Sequence, residues 1–298
     1  MTGDLLATAV VPVKDDERIY RLVDSLRRQT LPCGRYEVIV VENGSQRFGD
    51  LATMTDAVRY MYLPQANSAA ARNVGLAAAR GRYLLLTDAD CVAEPAWIER
   101  MTTALREWPA TVVGGTIRPH APTTWTQRYA ITIVDGQARP SYLPALHLPY
   151  VAGANAGFVT ARLRKVGGFD EELKSGNDVD VCYKLGLAGD KVAIVQDAVV
   201  WHEDRATVSA HFRRFQLYAI YQVLLFAKYK QHTGRRFVFD RYPFRRAAHA
   251  LASSPLALAR LVCGDVGPAS RMVLQLIEAA GVLTGEVQGA IRFRQAYL

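Results

Sequence analysis

Tyr83-Leu-Leu-Leu-Thr-Asp-Ala-Asp90 decides how this 298-residue chain reads. An apolar run of strand length ends directly in two carboxylates. An isolated ionised carboxylate in an apolar setting costs many kcal/mol, so Asp88 and Asp90 require a cation. Carboxylates suit hard divalent ions such as Mg²⁺ or Mn²⁺, which keep positions open for phosphate oxygens. Placed there, such an ion would neutralise charge growing on a diphosphate leaving group. A short acidic pair alone is equally the mark of a solvated turn; the preceding strand is what separates the two.

Outward from that stretch, strands and helices alternate. Residues 7–13, Ala-Thr-Ala-Val-Val-Pro-Val, form a buried strand, and residues 17–29 place Ile19, Leu22, Val23 and Leu26 on one helical face. Pro32 and Gly34 break the chain before a second strand, Glu37-Val-Ile-Val-Val41, which ends in the turn Glu42-Asn-Gly-Ser45. Residues 58–63 make a third strand and the alanine-rich 68–80 a helix that Gly81 closes. Continuously apolar strands alternating with helices predict an α/β fold with a mainly parallel sheet covered on both faces. Ligands then bind beyond the strands' carboxyl ends, where Val13-Lys14, Glu42-Asn43 and Asp88-Asp90 all fall.

After Val113-Gly-Gly115 the pattern loosens. Pro119, Pro122, Pro140, Pro144 and Pro149, with Trp125, Tyr129, Tyr142 and Tyr150, predict a long irregular segment of the kind that shapes substrate sites. A helix near 160–166, a turn at Gly167-Gly168, a helix over 179–186 and a strand over 191–200 ending at Trp201-His202 follow. From Thr207 onward the segments read as helical: a long apolar helix through Phe212–Ala227, then 250–263 and 268–291. Arg260, Glu278 and Glu286 interrupt the latter two, so neither offers an apolar stretch of spanning length.

Half the residues are hydrophobic and 21% charged, an ordinary balance for a folded chain. Residues 5–13 are too short to span a membrane and follow no basic segment, which predicts no signal peptide and a cytoplasmic location. Cys33, Cys91, Cys182 and Cys263 lack any C-x-x-C spacing and read as reduced, isolated thiols. Charge is uneven. Residues 1–204 carry 22 Lys+Arg against 24 Asp+Glu, and residues 205–298 carry 14 against 4. The basic last third suits either a solvated helical face or peripheral contact with an anionic inner membrane surface or lipid phosphate, with nucleic acid disfavoured.

Three further groups belong with the acidic pair. In Gly176-Asn-Asp-Val-Asp180, Asn177 or Asp178 could cap the following helix, and a carboxylate there is also placed to take a proton from a hydroxyl. His202 ends a strand at the same rim and would complete a mixed O/N shell with Asp88 and Asp90. Arg72, opening the helix after Ala66-Asn-Ser-Ala-Ala-Ala, would pair with phosphates or brace Asp88, and Lys14 is a weaker candidate for the same anion.

In order, Val11-Pro-Val-Lys-Asp15, Val40-Val-Glu-Asn-Gly-Ser45, Ala71-Arg-Asn-Val-Gly75, Leu86-Thr-Asp-Ala-Asp90, Gly176-Asn-Asp-Val-Asp180 and Val200-Trp-His202 resemble the family-2 glycosyltransferases of GT-A fold. The likeness runs from about residue 7 to 215. It implies a GT-A, Rossmann-like domain whose residues 1–115 bind the nucleotide sugar and whose residues 116–204 hold the acceptor and the catalytic base, with 205–298 a helical extension. It also implies roles. Pro12, Val13 and Glu42 would hold the base, Arg72 the diphosphate, and Asp88 the ribose or, through water, the metal. Asp90 would ligate Mn²⁺ or Mg²⁺ directly. Asp178 would be the base of an inverting displacement, with Asp180 in reserve, and Asn155, Asn177 and Trp201 would lie on the acceptor side. Two departures stand out: Glu42 where Asp is usual, and Asn177 where the family pairs Glu with the catalytic Asp. A sugar-nucleotide nucleotidyltransferase would carry a glycine- and basic-rich loop after the first strand, whereas Lys14-Asp-Asp-Glu17 stands there. A non-catalytic nucleotide-sugar-binding protein remains the other alternative, and it requires Asp178 to be only a helix cap.

Overall fold

The computed structural model describes residues 5–54, 58–108, 112–130, 137, 140–143 and 146–297. The first half of the chain gives β1 (Ala7–Val13), α1 (Ile19–Arg27), β2 (Tyr36–Asn43), α2 (Leu51–Met54) and β3 (Val58–Leu63). Next come α3 (Ser68–Ala78), β4 (Tyr83–Thr87), β5 (Cys91–Ala93), α4 (Trp97–Glu107), β6 (Val112–Pro119) and α5 (Trp125–Ala130). The strands β7 (Ser141–Leu143), β8 (Leu146–Tyr150) and β9 (Asn155–Val159) lead to α6 (Thr160–Lys165), α7 (Asn177–Leu187) and β10 (Val192–His202). Four helices finish the chain: α8 (Val208–Thr233), α9 (Tyr242–Ala252), α10 (Ser254–Val262) and α11 (Gly267–Phe293).

Contacts divide the chain into two units. The first comprises Met1–His120, Gly136–Ser141 and Leu148–His202; the second comprises Ala121–Asp135, Tyr142–His147 and Glu203–Leu298. The C-terminal helices fall in the second unit, which resumes at Glu203. Among the described residues, 121–130, 142–143 and 146–147 cluster with the C-terminal helices.

An eight-stranded sheet in the order β3-β2-β1-β4-β9-β6-β10-β5 builds the first unit. Only β9 and β5 run against the rest, so the expected mainly parallel α/β sheet is present. Alternation along each strand feeds two cores. Ala9, Val11, Val13 and Leu85 join α1 and α4 on one face, and Val10, Leu84 and Leu86 join α3, α6 and α7 on the other. Because β1, β2, β4, β6 and β10 point the same way, Val13, Asn43, Thr87 and His202 end on one rim.

In the second unit α8 and α11 run side by side. Gly281, Gly285 and Gly289 recur every four residues on α11; a Cβ on Gly285 would stand 2.3 Å from the Gln216 carbonyl oxygen, so only glycine permits this approach. Two α11 carboxylates are fully buried. Glu278 accepts hydrogen bonds from Tyr242 Oη and from Arg246 Nη2, the latter at 2.9 Å. Burial, and then the neighbouring Asp240 carboxylate, push Glu286 up to about 9. The folded chain thus keeps the Glu286 proton at neutral pH, while an unfolded glutamate loses it near about 4.3. Between those values the unfolded state binds fewer protons, so this group lowers stability as pH rises. Glu286→Gln is expected to melt above the wild type at pH 8 and level with it at pH 4; a difference independent of pH would contradict the assignment.

Candidate active site

Asp88 and Asp90 leave the end of β4 as expected, and their surroundings differ. Asp90 is buried, with Oδ2 3.5 Å from His202 Nε2 and 3.8 Å from Arg18 Nη2. Arg18 also grips Asp16 through Nε at 2.8 Å and Nη2 at 2.7 Å. Sequence reasoning passed Arg18 over, since nothing local links residue 18 to residue 90. The Asp88 side chain keeps 36% exposure and accepts from Arg72 Nη2 at 3.0 Å. Desolvation raises the Asp88 carboxyl above its ordinary range; the negative charges of Asp90 and Asp178 add to this, while Arg72 and His202 oppose it. Cys91, next in sequence, is buried beside the same carboxylates and held as the thiol.

Arg72 joins this rim to the start of α7. The N-cap Asn67 accepts from the amides of Ala69 and Ala70 and so fixes the start of α3, where Arg72 sits on a buried position. Its Nη1 donates to Asn177 Oδ1 at 2.5 Å, while Nη2 reaches Asp88. A Cβ on Gly153 would come within 2.8 Å of Nη2, so the guanidinium lies against bare backbone there. The Gly153 amide in turn donates to Asp178 Oδ2 at 2.7 Å. Gly153 is the second residue that sequence reasoning missed; Val151-Ala-Gly-Ala-Asn155 shows a small-residue run but not what approaches it.

The start of α7 differs from expectation. The helix begins at Asn177, two residues early, and Gly176 in the left-handed conformation is the N-cap, with no side-chain cap hydrogen bond. Asp178 is therefore not the cap. It is part-exposed, and its Oδ1 accepts from the Val179 amide at 3.0 Å. Asp180 is fully buried with Lys184 Nζ 2.9 Å away, one helical turn on, so the reserve base faces the interior and not the rim.

Two other expected binding residues are buried and hydrogen-bonded within the fold. Glu42 is fully buried and fills its four acceptor positions internally. Oε1 accepts from Ser45 Oγ (2.6 Å) and the Arg47 amide (2.7 Å), Oε2 from the Phe48 amide (3.1 Å) and Tyr60 Oη (2.7 Å). Burial alone would raise its carboxyl, and these bonds together outweigh it and hold the group below the usual range. Glu42 thus shapes the loop after β2. Asn155, placed on the acceptor side by sequence, has no exposed surface. It accepts from Trp97 Nε1 at 2.8 Å and donates to the carbonyls of Thr116 (2.9 Å) and Ala198 (3.0 Å). It ties β9 to α4, to β6 and to the bulge of β10, and Gly115 gives it room. Asn155→Ala leaves the buried Trp97 Nε1 and Ala198 carbonyl and the part-buried Thr116 carbonyl without this partner and is expected to cost about 3–5 kcal/mol in denaturant unfolding; a loss below about 1 kcal/mol would show that these groups find other partners.

The remaining residues stay at the rim. Pro12 and Val13 end β1 beyond its pairing with β4, which stops at Val10, so the missing N–H of Pro12 breaks no β4 ladder bond. Val13 accepts from Asn43 Nδ2 at 2.9 Å, and Lys14 is exposed. Trp201 packs against Arg118, 5.6 Å from guanidinium to ring.

A sequence profile of glycosyl transferase family 2 matches residues 8–167, more than half of the chain. The chain belongs to this family. Among its relatives, the pre-mycofactocin glycosyltransferase of Mycobacterium tuberculosis is 28% identical over 220 residues, 71% of this chain and 45% of that protein. The chain thus spans about half of that relative's length. The glycosyltransferase AglE of Haloferax volcanii is 28% identical over 216 residues, 69% of each chain. The mannosyltransferase PcManGT from Pyrobaculum calidifontis, solved in complex with GDP-Man and Mn²⁺, matches at a TM-score of 0.63 and 19% identity over 95% of this chain and 86% of that one. That likeness shows the fold, and the fold of this family-2 chain is GT-A.

Proposed function

We propose that the protein transfers a sugar from a nucleotide-diphosphate donor to an acceptor hydroxyl, with inversion at the anomeric carbon. The observation that carries this reading is the bridge made by Arg72. One buried guanidinium holds Asp88 on the strand rim and Asn177 at the start of α7, beside Asp178. A cation-seeking rim and a part-exposed carboxylate are thereby tied together by a guanidinium that reaches Asn177, 105 residues along the sequence.

In this reading Pro12 and Val13 line the nucleoside side, in the loop environment that Glu42 shapes. The donor diphosphate lies towards Arg72, whose charge opposes the charge gathering on the leaving group. Asp178 takes the proton of the acceptor hydroxyl, the oxygen bonds to the anomeric carbon, and the bond to the diphosphate breaks on the opposite side. The paired N–H donors of Gly153 and Val179 hold the Asp178 carboxylate in place for that transfer. Trp201 and Asn177 flank the acceptor side.

The donor set suits a divalent ion. Asp90 and His202 turn a carboxylate oxygen and an imidazole nitrogen towards each other, a mixed shell that fits Mn²⁺ and tolerates Mg²⁺. Among the described residues no three His, Cys, Asp or Glu groups close round one point. Asp90 and His202 would therefore hold the ion, with Asp88 beside them and phosphate oxygens completing the shell. When bound, the ion would supply Lewis-acid stabilisation of the diphosphate.

Release of nucleoside diphosphate from a panel of sugar nucleotides, with Mn²⁺ and water as the acceptor, tests this function. Turnover of one donor, abolished by chelation, is expected; inertness towards every donor would reject the reading.

A further inference from the structure

Unit two carries a feature that the transfer reaction does not use. Residues 205–298 hold four acidic side chains: Asp240, Asp265, Glu278 and Glu286. Asp240, Glu278 and Glu286 are buried, with 2%, 0% and 0% exposure, which leaves Asp265 against fourteen Lys+Arg. The uneven charge of the sequence is thus steeper on the surface than in the composition.

That positive charge is concentrated at the start of α9. A pocket of about 600 Å³ there is lined by Arg241, Arg245, Arg246 and His249, with the rings of Phe239 and Tyr242. Arg246 is paired with Glu278 at 2.9 Å. Arg241 and Arg245 have no acidic partner among the described residues. Asp240, also on the wall, spends its oxygens on the Tyr242 amide and Gln222. The pocket therefore presents two uncommitted guanidiniums to an anion, with Phe239 and Tyr242 also on its wall.

The chain directly beyond it is apolar and uncovered. In α10, Ser-Pro-Leu-Ala-Leu-Ala-Arg-Leu-Val, only Ala257 is buried, while Leu256, Leu258 and Val262 are 62%, 60% and 88% exposed. Leu251, at the end of α9, adds a fourth at 61%. An apolar surface of this kind beside basic side chains is the composition of a helix lying in a bilayer interface. None of the described helices is long and apolar enough to cross a membrane. Nine residues of α10 reach roughly 14 Å, under half of a ~30 Å hydrocarbon core.

We propose that the α9 pocket binds the phosphate of an anionic lipid headgroup while Leu251 and the α10 side chains enter the interface beside it. Charge complementarity selects this occupant: a second copy of the chain would set one basic face against another. The inference is independent of the transferase reading, because none of these residues belongs to the active site.

Flotation of the full chain with phosphatidylcholine vesicles, with and without phosphatidylglycerol, tests it. Binding is expected only with phosphatidylglycerol and is expected to fall with salt. Arg241→Ala and Arg245→Ala should each weaken it about fivefold. Leu256→Asn with Val262→Asn should weaken binding while keeping its salt dependence. All four side chains are exposed, so melting temperatures should stay at the wild-type value. Equal binding to both vesicles, no binding to either, or binding that ignores both arginines would each overturn the proposal. So would stabilisation by inorganic phosphate without vesicle binding, or a concentration-dependent dimer that the leucine and valine changes abolish.

Discussion

Asp178→Asn should slow sugar transfer on the order of 10²–10⁴-fold while leaving donor affinity and stability close to wild type. The two side chains share one shape, and the asparagine oxygen can still accept from the Gly153 amide that holds Asp178 Oδ2 at 2.7 Å. What is removed is the capacity to take a proton, together with one of the two acceptors that face the Gly153 and Val179 amides. Gly176 is the N-cap and no side chain caps α7, so the change removes no cap; Asp178 does lie in the first helical turn, and a melting temperature measured beside the rate separates helix stability from chemistry. Rate and donor binding measured on the same preparation separate the outcomes. Lost rate with retained binding supports the base; unchanged rate removes Asp178 from the chemistry, and Asp180, buried against Lys184, is in no position to replace it.

Arg72→Lys is the second large effect. Arginine spans Asn177 at 2.5 Å and Asp88 at 3.0 Å with two different nitrogens of one planar group. A lysine is a single charge centre and serves one partner at most. Asn177 Oδ1 or Asp88 then loses its donor, and the start of α7 drifts relative to β4. A displacement on the scale of 1 Å at reacting groups is worth about 10²-fold in rate, so that loss is expected, together with weaker binding of nucleoside diphosphate. Conserved rate with weakened binding would confine Arg72 to the phosphates. Conserved values of both would dissolve the bridge as a functional element.

How much of this was legible in the sequence depended on whether a residue's partner was local. β1, β2 and β4 announce themselves because a strand buried on both faces is apolar throughout, and the carboxylates that follow β4 must meet a cation. The short strand β9 was not legible. Asn-Ala-Gly-Phe-Val has too few large side chains to show a period, and Gly157 is small because a Cβ there would stand 2.9 Å from Leu85. The helix α4 did carry a usable signal in Trp97, Ile98, Met101, Ala104 and Leu105, all buried on one face. Glu42 and Asn155 could be located but not interpreted. The oxygens of Glu42 are spent on Ser45, Arg47, Phe48 and Tyr60, and the amide oxygen and nitrogen of Asn155 on elements up to 58 residues away. Sequence shows that a polar residue stands at a strand end; only the packed chain shows whether its hydrogen bonds are already taken. Arg72 shows the reverse. Its position at the opening of a helix suggested a brace for Asp88, and the fold adds Asn177.

In the proposed function, Asp88, Asp90, Arg72 and His202 form a metal-dependent site for a nucleotide diphosphate. Thermal shift of the wild type and of Asp90→Ala with UDP, GDP and TDP, each with and without Mn²⁺, addresses it most directly. Binding to the native state alone stabilises by about 2.7 kcal/mol at a hundredfold excess over Kd, a readily measured rise. The expected result is a rise for one base, dependent on Mn²⁺ and absent in Asp90→Ala. No rise with any nucleotide, or an equal rise in Asp90→Ala, would contradict the site.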